Sequence, residues 1–367
     1  MHNNSLKKLF IFMFLINILW AGNKEYFGVQ EFINFSNQQT ISDDFIKIIQ
    51  KDAQKIKKQD KKVRIVLVYP GKQLTDYWIK SKVSFEKRLN ELGIKYELIM
   101  HSTKPHVEIK KQSVLLAQAI KEKTDYLIFV LDANKHAKFI ERIISKKTPK
   151  LILQNITTPL RRWEDRQPFL YVGFDHMIGS QMLADYYIKK TNGKGKYAVL
   201  YTSNGYIGYM RGTKFIDYVS KNSDLEVIHE YYTHTSKENA KNATLDLLTL
   251  NNDIKFIYAC STDIALGVIE ALKEKNLTGK ILVNGWGGGS SELEAIENNL
   301  LDVTVMRMND DNGVAMAEAI KLDLEDKEDK IPTIFSGKMV IVDKDIKKEE
   351  LQKLRERAFR YTFDVKE

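Results

Sequence analysis

Val63-Arg-Ile-Val-Leu-Val-Tyr-Pro70, followed at once by Gly71-Lys-Gln-Leu-Thr-Asp-Tyr-Trp78, is the stretch on which the fold turns. Its first half is a short β-branched run without helical period, the pattern of a strand buried on both faces. Pro70 and Gly71 end it. Thr75 then reads as the N-cap of a helix reaching to about Leu92, with Trp78, Val83, Phe85 and Leu89 among its apolar positions. This is a β-loop-α unit of an open α/β sheet, and such sheets bind ligands beyond the carboxyl ends of their strands. Gln73, Thr75 and Trp78 fall at that point. An amide, a hydroxyl and a large aromatic suit a small polyhydroxylated ligand better than a phosphate, for which glycines are expected. The same three residues also read as a turn amide, a cap and a core tryptophan, and the stretch alone leaves both readings open.

Outward from this unit the alternation repeats. Strands at Tyr96–Met100, Tyr126–Leu131 and Leu151–Asn155 are separated by amphipathic segments, which predicts a parallel sheet with right-handed crossovers. The loop Ile156–Pro168 breaks the rhythm. A second series follows, with strands at Phe169–Phe174, Tyr197–Thr202, Leu225–Tyr232, Phe256–Ser261, Ile281–Asn284, Val303–Met308 and Met339–Val342, and with Asp175 as the N-cap of a helix from His176. Two such series predict an α/β protein of two doubly wound, Rossmann-like lobes, in which the strands after Asn284 return to the first lobe.

The chain of 367 residues is comfortable for two domains, and 43% hydrophobic with 29% charged residues describes a globular protein. The net charge of +9 is scattered over Lys-rich helix faces, so it argues for solubility and against nucleic-acid binding. At the start, Lys7 and Lys8 precede the apolar run Leu9–Trp20 and the small pair Ala21-Gly22, the layout of a secretory signal peptide. The run is too short for a membrane-spanning helix, which needs about 20 residues. The mature protein is therefore expected to be exported to the periplasm. Residues 22–62 read as an extension wrapping over a lobe. Cys260, in an apolar run, reads as a small core residue.

Chemistry-bearing motifs are few. Gly285-Trp-Gly-Gly-Gly289 lacks the third glycine of a dinucleotide fingerprint, no Walker sequence occurs, and the histidines show no metal-ligand spacing. His176 and His136 read as helix-start or surface residues. No catalytic constellation, cofactor or metal site is expected. Trp286 amid glycines has little core to join and reads as a ligand-facing indole. Arg307 interrupts the apolar strand Val303–Met308, where a guanidinium is costly unless paired. It reads either as an ion pair with Asp310 or Asp311 or, with Arg211, as a neutraliser of an anionic ligand.

Six stretches carry a resemblance. They are Val68–Trp78, Leu151–Pro159, Pro168–His176, Tyr258–Asp263, Asn284–Ser290 and Val305–Asp311. Over about residues 63 to 361 the chain resembles the LuxP family of autoinducer-2-binding periplasmic proteins, which is related to the ribose-binding proteins (type I periplasmic binding proteins). The resemblance implies two lobes joined by three crossings, with a furanosyl borate diester of one negative charge bound between them. It implies that Gln73, Trp78, Asn155, Thr262 and Trp286 match pocket residues and that Arg211 and Arg307 face the borate. Thr75 stands where the family has serine. The expected boundaries are a signal peptide over 1–21, the extension over 22–62, lobe 1 over 63–173 and 285–335, and lobe 2 over 174–284 and 336–367. The implied role is a quorum-sensing receptor that passes its signal to the periplasmic domain of a membrane sensor histidine kinase. The alternative is a solute-binding protein delivering ribose or unborated autoinducer to an ABC transporter. A transcription regulator would carry a DNA-binding motif where the signal peptide stands.

Overall fold

The computed structural model describes residues 25–105, 107–130, 136–251 and 253–365. The signal peptide expected over 1–21 lies outside the described residues. The first two helices of the described residues are α1 (Val29–Phe35) and α2 (Gln39–Gln50). They bury Phe32, Phe45 and Ile49 against the first lobe.

The first sheet is built from β1 (Val63–Tyr69), β2 (Tyr96–Ser102), β3 (Tyr126–Phe129), β4 (Lys150–Gln154) and β5 (Leu170–Gly173), with α3 (Tyr77–Glu91), α4 (Ile109–Lys121) and α5 (Ala137–Lys146) between them. All of its pairings are parallel. The burial of β1 on both faces follows from its apolar run Ile65–Tyr69, which is covered by helices on either side, while Arg64 near its start is only half-buried. Helix α3 begins one residue later than Thr75 predicts, and Asp76 is its N-cap.

The chain then passes to the second lobe through α6 (His176–Lys190), where the Asp175 carboxylate accepts from the Met177 and Ile178 N–H groups. The second sheet holds β6 (Lys194–Tyr201), β7 (Asp224–Tyr232), β8 (Ile254–Ala259), β9 (Leu282–Gly287) and β10 (Val303–Arg307). Its helices are α7 (Lys214–Asn222), α8 (Lys237–Leu250), α9 (Thr262–Glu274) and α10 (Ser290–Glu297). From β10 the chain crosses back as α11 (Asp310–Leu324), which packs on α3, and adds β11 (Ile334–Ser336) to the edge of the first sheet beside β5. A third crossing leads to β12 (Met339–Asp343), which runs antiparallel on β10, and to α12 (Lys348–Ala358).

The sheet orders are β11-β5-β4-β3-β1-β2 and β12-β10-β9-β8-β6-β7. They correct one expectation: the return to the first lobe comes after Arg307 and not after Asn284, because β9 and β10 pair with each other beside β8. A second correction concerns β9, which runs on through Gly285-Trp286-Gly287. Trp286 is thus a strand residue opposite Val305, and it has a core to join. Among the described residues no helix is long and apolar enough to cross a membrane.

Candidate functional site

Where the carboxyl ends of the two sheets face each other lies a cavity of about 60 Å³. Gln73, Thr75, Trp78, Asn155, Arg211, Thr262, Trp286 and Arg307 all line it. Each arrives there by the same local logic, at a strand end or in the first turn of the helix that follows. Gln73 and Thr75 sit in the loop between β1 and α3, and Trp78 in the first turn of α3. Asn155 follows β4 in a left-handed conformation (φ 63°), and its side-chain oxygen is buried without a partner. Thr262 opens α9, whose first turn is capped by the Ser261 hydroxyl. Arg211 lies in a π-helical turn, Tyr209–Thr213, that leads into α7; such wide turns recur at functional sites. Arg307 ends β10.

The two arginines dominate the electrostatics. Each is 5% exposed. Arg307 makes no hydrogen bond or ion pair among the described residues. Its guanidinium lies 4.2 Å from the centre of the Tyr77 ring and 5.6 Å from that of Phe174, and its Nε is buried without a partner. The pairing with Asp310 or Asp311 does not occur, because both carboxylates are engaged elsewhere. Asp311 is held by Arg357 and Arg360, and Asp310 accepts from the backbone of Tyr361 and from Thr362. Arg211 lies 3.9 Å over the Trp286 ring, and it donates to the Cys260 carbonyl (2.9 Å) and to His176 Nδ1 (3.3 Å). Burial, and then the Arg307 charge, push Arg211 down from 12.5 to about 9. Burial also lowers Arg307. Guanidinium groups keep their charge in proteins, so the site holds two buried cations with no acid at ion-pair distance among the described residues.

The glycines of 285–289 shape this wall. A Cβ on Gly287 (φ 129°) would stand 2.2 Å from an Arg307 terminal nitrogen, so glycine there makes room for the guanidinium. Beneath it Glu292, fully buried, accepts from the N–H groups of Trp286 and Gly288 (both 2.8 Å) and from the Thr304 hydroxyl (2.6 Å). This carboxylate fixes the loop and tempers the field of the arginines from a distance. Trp286, which reads from sequence as a ligand-facing indole without a core, both lines the cavity and joins the lobe-2 core. It is 1% exposed, and its Nε1 donates to the Tyr258 hydroxyl at 3.1 Å. Trp78 is likewise packed against Tyr69 and Tyr77.

The lobes meet around the cavity through direct hydrogen bonds. The Leu74 N–H donates to Asp263 (3.1 Å). Asp76 accepts from the Ser290 N–H (3.1 Å) and hydroxyl (2.7 Å) and pairs with Lys80 at 2.8 Å. Burial favours the neutral form of Asp76, but the Lys80 charge and the Ser290 donors outweigh it and hold the carboxyl below its ordinary range. For Asp263 burial dominates and raises it.

Sequence reasoning passed over Tyr77, His176 and Asp263. His176 starts α6, as expected, but it is buried beside Arg211 and not at the surface. His136 is also buried. Asp263 carried a signal, as the residue beside Thr262 at the head of a helix. Tyr77, held by Gln154 and Asn312 from distant parts of its own lobe, and His176, held between the lobes, left none.

Comparison with known proteins adds the family. A model of the periplasmic binding protein domain matches residues 65–356. A solute-binding protein of an ABC transporter from Actinobacillus succinogenes 130z, solved with D-allose, superposes with a TM-score of 0.67 at 21% identity, covering 77% of this chain and 98% of its own. One from Agrobacterium vitis, solved with D-fucose, gives 0.70 at 20% identity over 79% and 98%. The XylFII–LytSN complex gives 0.67 at 20% identity over 78% and 99%. At these identities the structures speak for the fold, and the family match implies a periplasmic or other extracytoplasmic location. The chain belongs to the periplasmic binding protein family.

Proposed function

We propose that the protein is a solute-binding receptor of the ABC-transporter type, whose interlobe cavity takes one small polyhydroxylated ligand that carries negative charge. The observation that supports the anion is Arg307, buried yet without hydrogen-bond or ion-pair partner among the described residues. A buried charge without an acceptor is held at some cost to folding, and a ligand anion supplies what the fold withholds. Each charge-assisted hydrogen bond then contributes about 1.5–3 kcal/mol. Amide, hydroxyl and indole groups at Gln73, Asn155, Thr75, Thr262 and Trp78 supply the donors and acceptors that ligand hydroxyls need. The D-allose and D-fucose complexes support the sugar-like part, and delivery to a transporter follows the same relatives.

The arginine pair favours a sharper reading within this class, the borate diester of autoinducer-2. A tetrahedral anion gives both guanidiniums a face, whereas a neutral sugar needs neither. In that reading closure of the lobes passes the signal to the periplasmic domain of a sensor histidine kinase; the XylFII–LytSN complex supports an assembly of this fold with a second protein. Calorimetry tests both readings, with D-ribose, autoinducer-2 in boron-free buffer, and autoinducer-2 with borate as probes. Tight binding only with borate is the result expected of the sharper reading. Equal binding with and without borate leaves the transporter reading and removes the borate. Undiminished binding of a neutral sugar by an Arg307→Met variant overturns the anionic ligand.

A further inference from the structure

His176 is 1% exposed and lies at the first crossing between the lobes, one residue after the cap of α6. Its ring has a polar partner in each lobe. Nε2 is 2.9 Å from the carbonyl oxygen of Asn155, which follows β4 in the first lobe. Nδ1 is 3.3 Å from Nε of Arg211, which follows β6 in the second. Chemistry fixes the proton. A guanidinium Nε–H can only donate, so Nδ1 must offer its lone pair; a carbonyl can only accept, so Nε2 must carry the hydrogen. The other tautomer and the imidazolium each break the bond to Arg211. The ring is further held edge-on to Trp286 (5.2 Å between centroids) and Tyr206 (5.9 Å). The charges it meets, Arg211 and Arg307, are both positive, and together with burial they hold the imidazole well below its usual range. The acid nearest in sequence, Asp175, is spent on capping the helix.

We propose that His176 is a positioning residue: as the neutral Nε2–H tautomer it ties Arg211 of one lobe to the Asn155 carbonyl of the other, and so sets where the guanidinium meets the ligand. Among the described residues no carboxylate pairs with Arg211; the Cys260 carbonyl holds Nη1 and the imidazole lone pair holds Nε, both without cancelling the charge. An acid in its place would orient the guanidinium equally well and neutralise it. The proposal rests on the reading that Arg211 meets an anionic ligand, and its test has one arm that does not use a ligand.

That arm is nitrogen-15 NMR of the full-length empty protein. The expected spectrum shows an unprotonated Nδ1 and a protonated Nε2 from about pH 5 to about pH 8, the range in which a free histidine changes charge. The Arg211 Nε–H is expected to be slow in exchange and to become fast in His176→Phe, which keeps the ring packing and deletes both bonds. An imidazolium at about pH 6, or an Arg211 Nε–H unchanged in His176→Phe, overturns the proposal. The second arm is a binding cycle with borated autoinducer-2 as the probe. His176→Phe should weaken binding about tenfold, and His176→Asn, whose amide oxygen can replace Nδ1, should recover part of the loss. In an Arg211→Met background, His176→Phe should cost nothing further. An equal loss in both backgrounds marks His176 as structural only and defeats the proposal. If the wild-type chain does not bind this probe, the ligand assignment fails, and His176 is then judged on the spectra alone.

Discussion

Two buried arginines in this molecule live opposite lives. Arg88, on the back of the first lobe, is 1% exposed and uses every nitrogen. Nε and Nη2 donate to Glu318, Nη2 also to the Lys51 carbonyl, and Nη1 to the Tyr361 hydroxyl. Burial works against its charge, but Glu318 and Tyr361 together outweigh burial and raise it. Arg307, facing the cleft, is almost as buried and has aromatic rings for company but no acceptor. Residue type and burial are nearly the same, so the difference lies in what the fold has placed around the charge. Where the partners are supplied, the arginine belongs to folding. Where they are withheld, the charge is left for the anionic ligand proposed above.

The comparison breaks first at Arg88. Arg88→Met leaves Glu318, itself 2% exposed, as a buried carboxylate without its cation. The expected loss is about 3–5 kcal/mol of stability, read by urea unfolding. A loss under about 1 kcal/mol, the size of a surface pair, would show that the cluster is not the structural ion pair its geometry describes.

Trp286 lies between these extremes, since it lines the cavity and also fills the lobe-2 core. Its indole rests against Gly179, where an added Cβ would come within 2.7 Å of the ring. Trp286→Ala should therefore cost the empty protein about 3–5 kcal/mol, besides weakening any ligand. An empty variant that melts like wild type would return Trp286 to a purely ligand-facing role.

Why that double role was hidden from the sequence is instructive. Gly-Trp-Gly reads as a loop because glycine weakens strands locally, but β9 extends through it because β10 lies alongside and supplies the ladder from Val303 to Met306. The same nonlocal cause put β10 in the second sheet. The family resemblance alone marked Asn155 and Thr262; local period was enough for β1, α3 and the general alternation, and strand-end logic for Gln73, Thr75 and Trp78. It was not enough for His176, whose burial comes from Asn155, Tyr206, Arg211 and Trp286 converging from distant parts of the chain. Nor did spacing reveal that Asp310 and Asp311 serve the C-terminal segment and leave Arg307 alone.

Those neighbouring aspartates extend the comparison to acids. Asp311 has two arginines, whereas Asp310 accepts from the Tyr361 and Thr362 N–H groups and the Thr362 hydroxyl and pairs with no cation among the described residues. Burial pushes Asp310 from 3.8 up to about 6. A carboxyl whose value rises on folding favours the folded state below its unfolded value, and that contribution is lost as pH rises through the folded one. Stability attributable to Asp310 should thus fall by about 3 kcal/mol between about pH 4 and about pH 6. The difference between wild type and Asp310→Asn, from unfolding curves across that window, isolates it from the other carboxylates. A flat difference would mean that the three donors already compensate the buried charge.

The smallest effect is expected at Arg307, and it separates the two kinds of arginine most sharply. If the fold needed this charge, Arg307→Met would strand a carboxylate as Arg88→Met does; but Asp310 and Asp311 are satisfied without it, and Glu292 is engaged by Trp286, Gly288 and Thr304. The substitution removes a desolvated charge and keeps an unbranched chain of similar reach against Tyr77 and Phe174. Stability of the empty protein should be unchanged or slightly raised. Binding of an anionic probe should fall by about 1.5–3 kcal/mol, roughly tenfold to a hundredfold. Adding Arg211→Met should weaken it further, with coupling between the two because one charge answers both. Titrations of the single and double variants, with melts run beside them, read both quantities. A destabilised empty protein would place Arg307 with Arg88, and wild-type affinity in the Arg307→Met variant would remove it from the site.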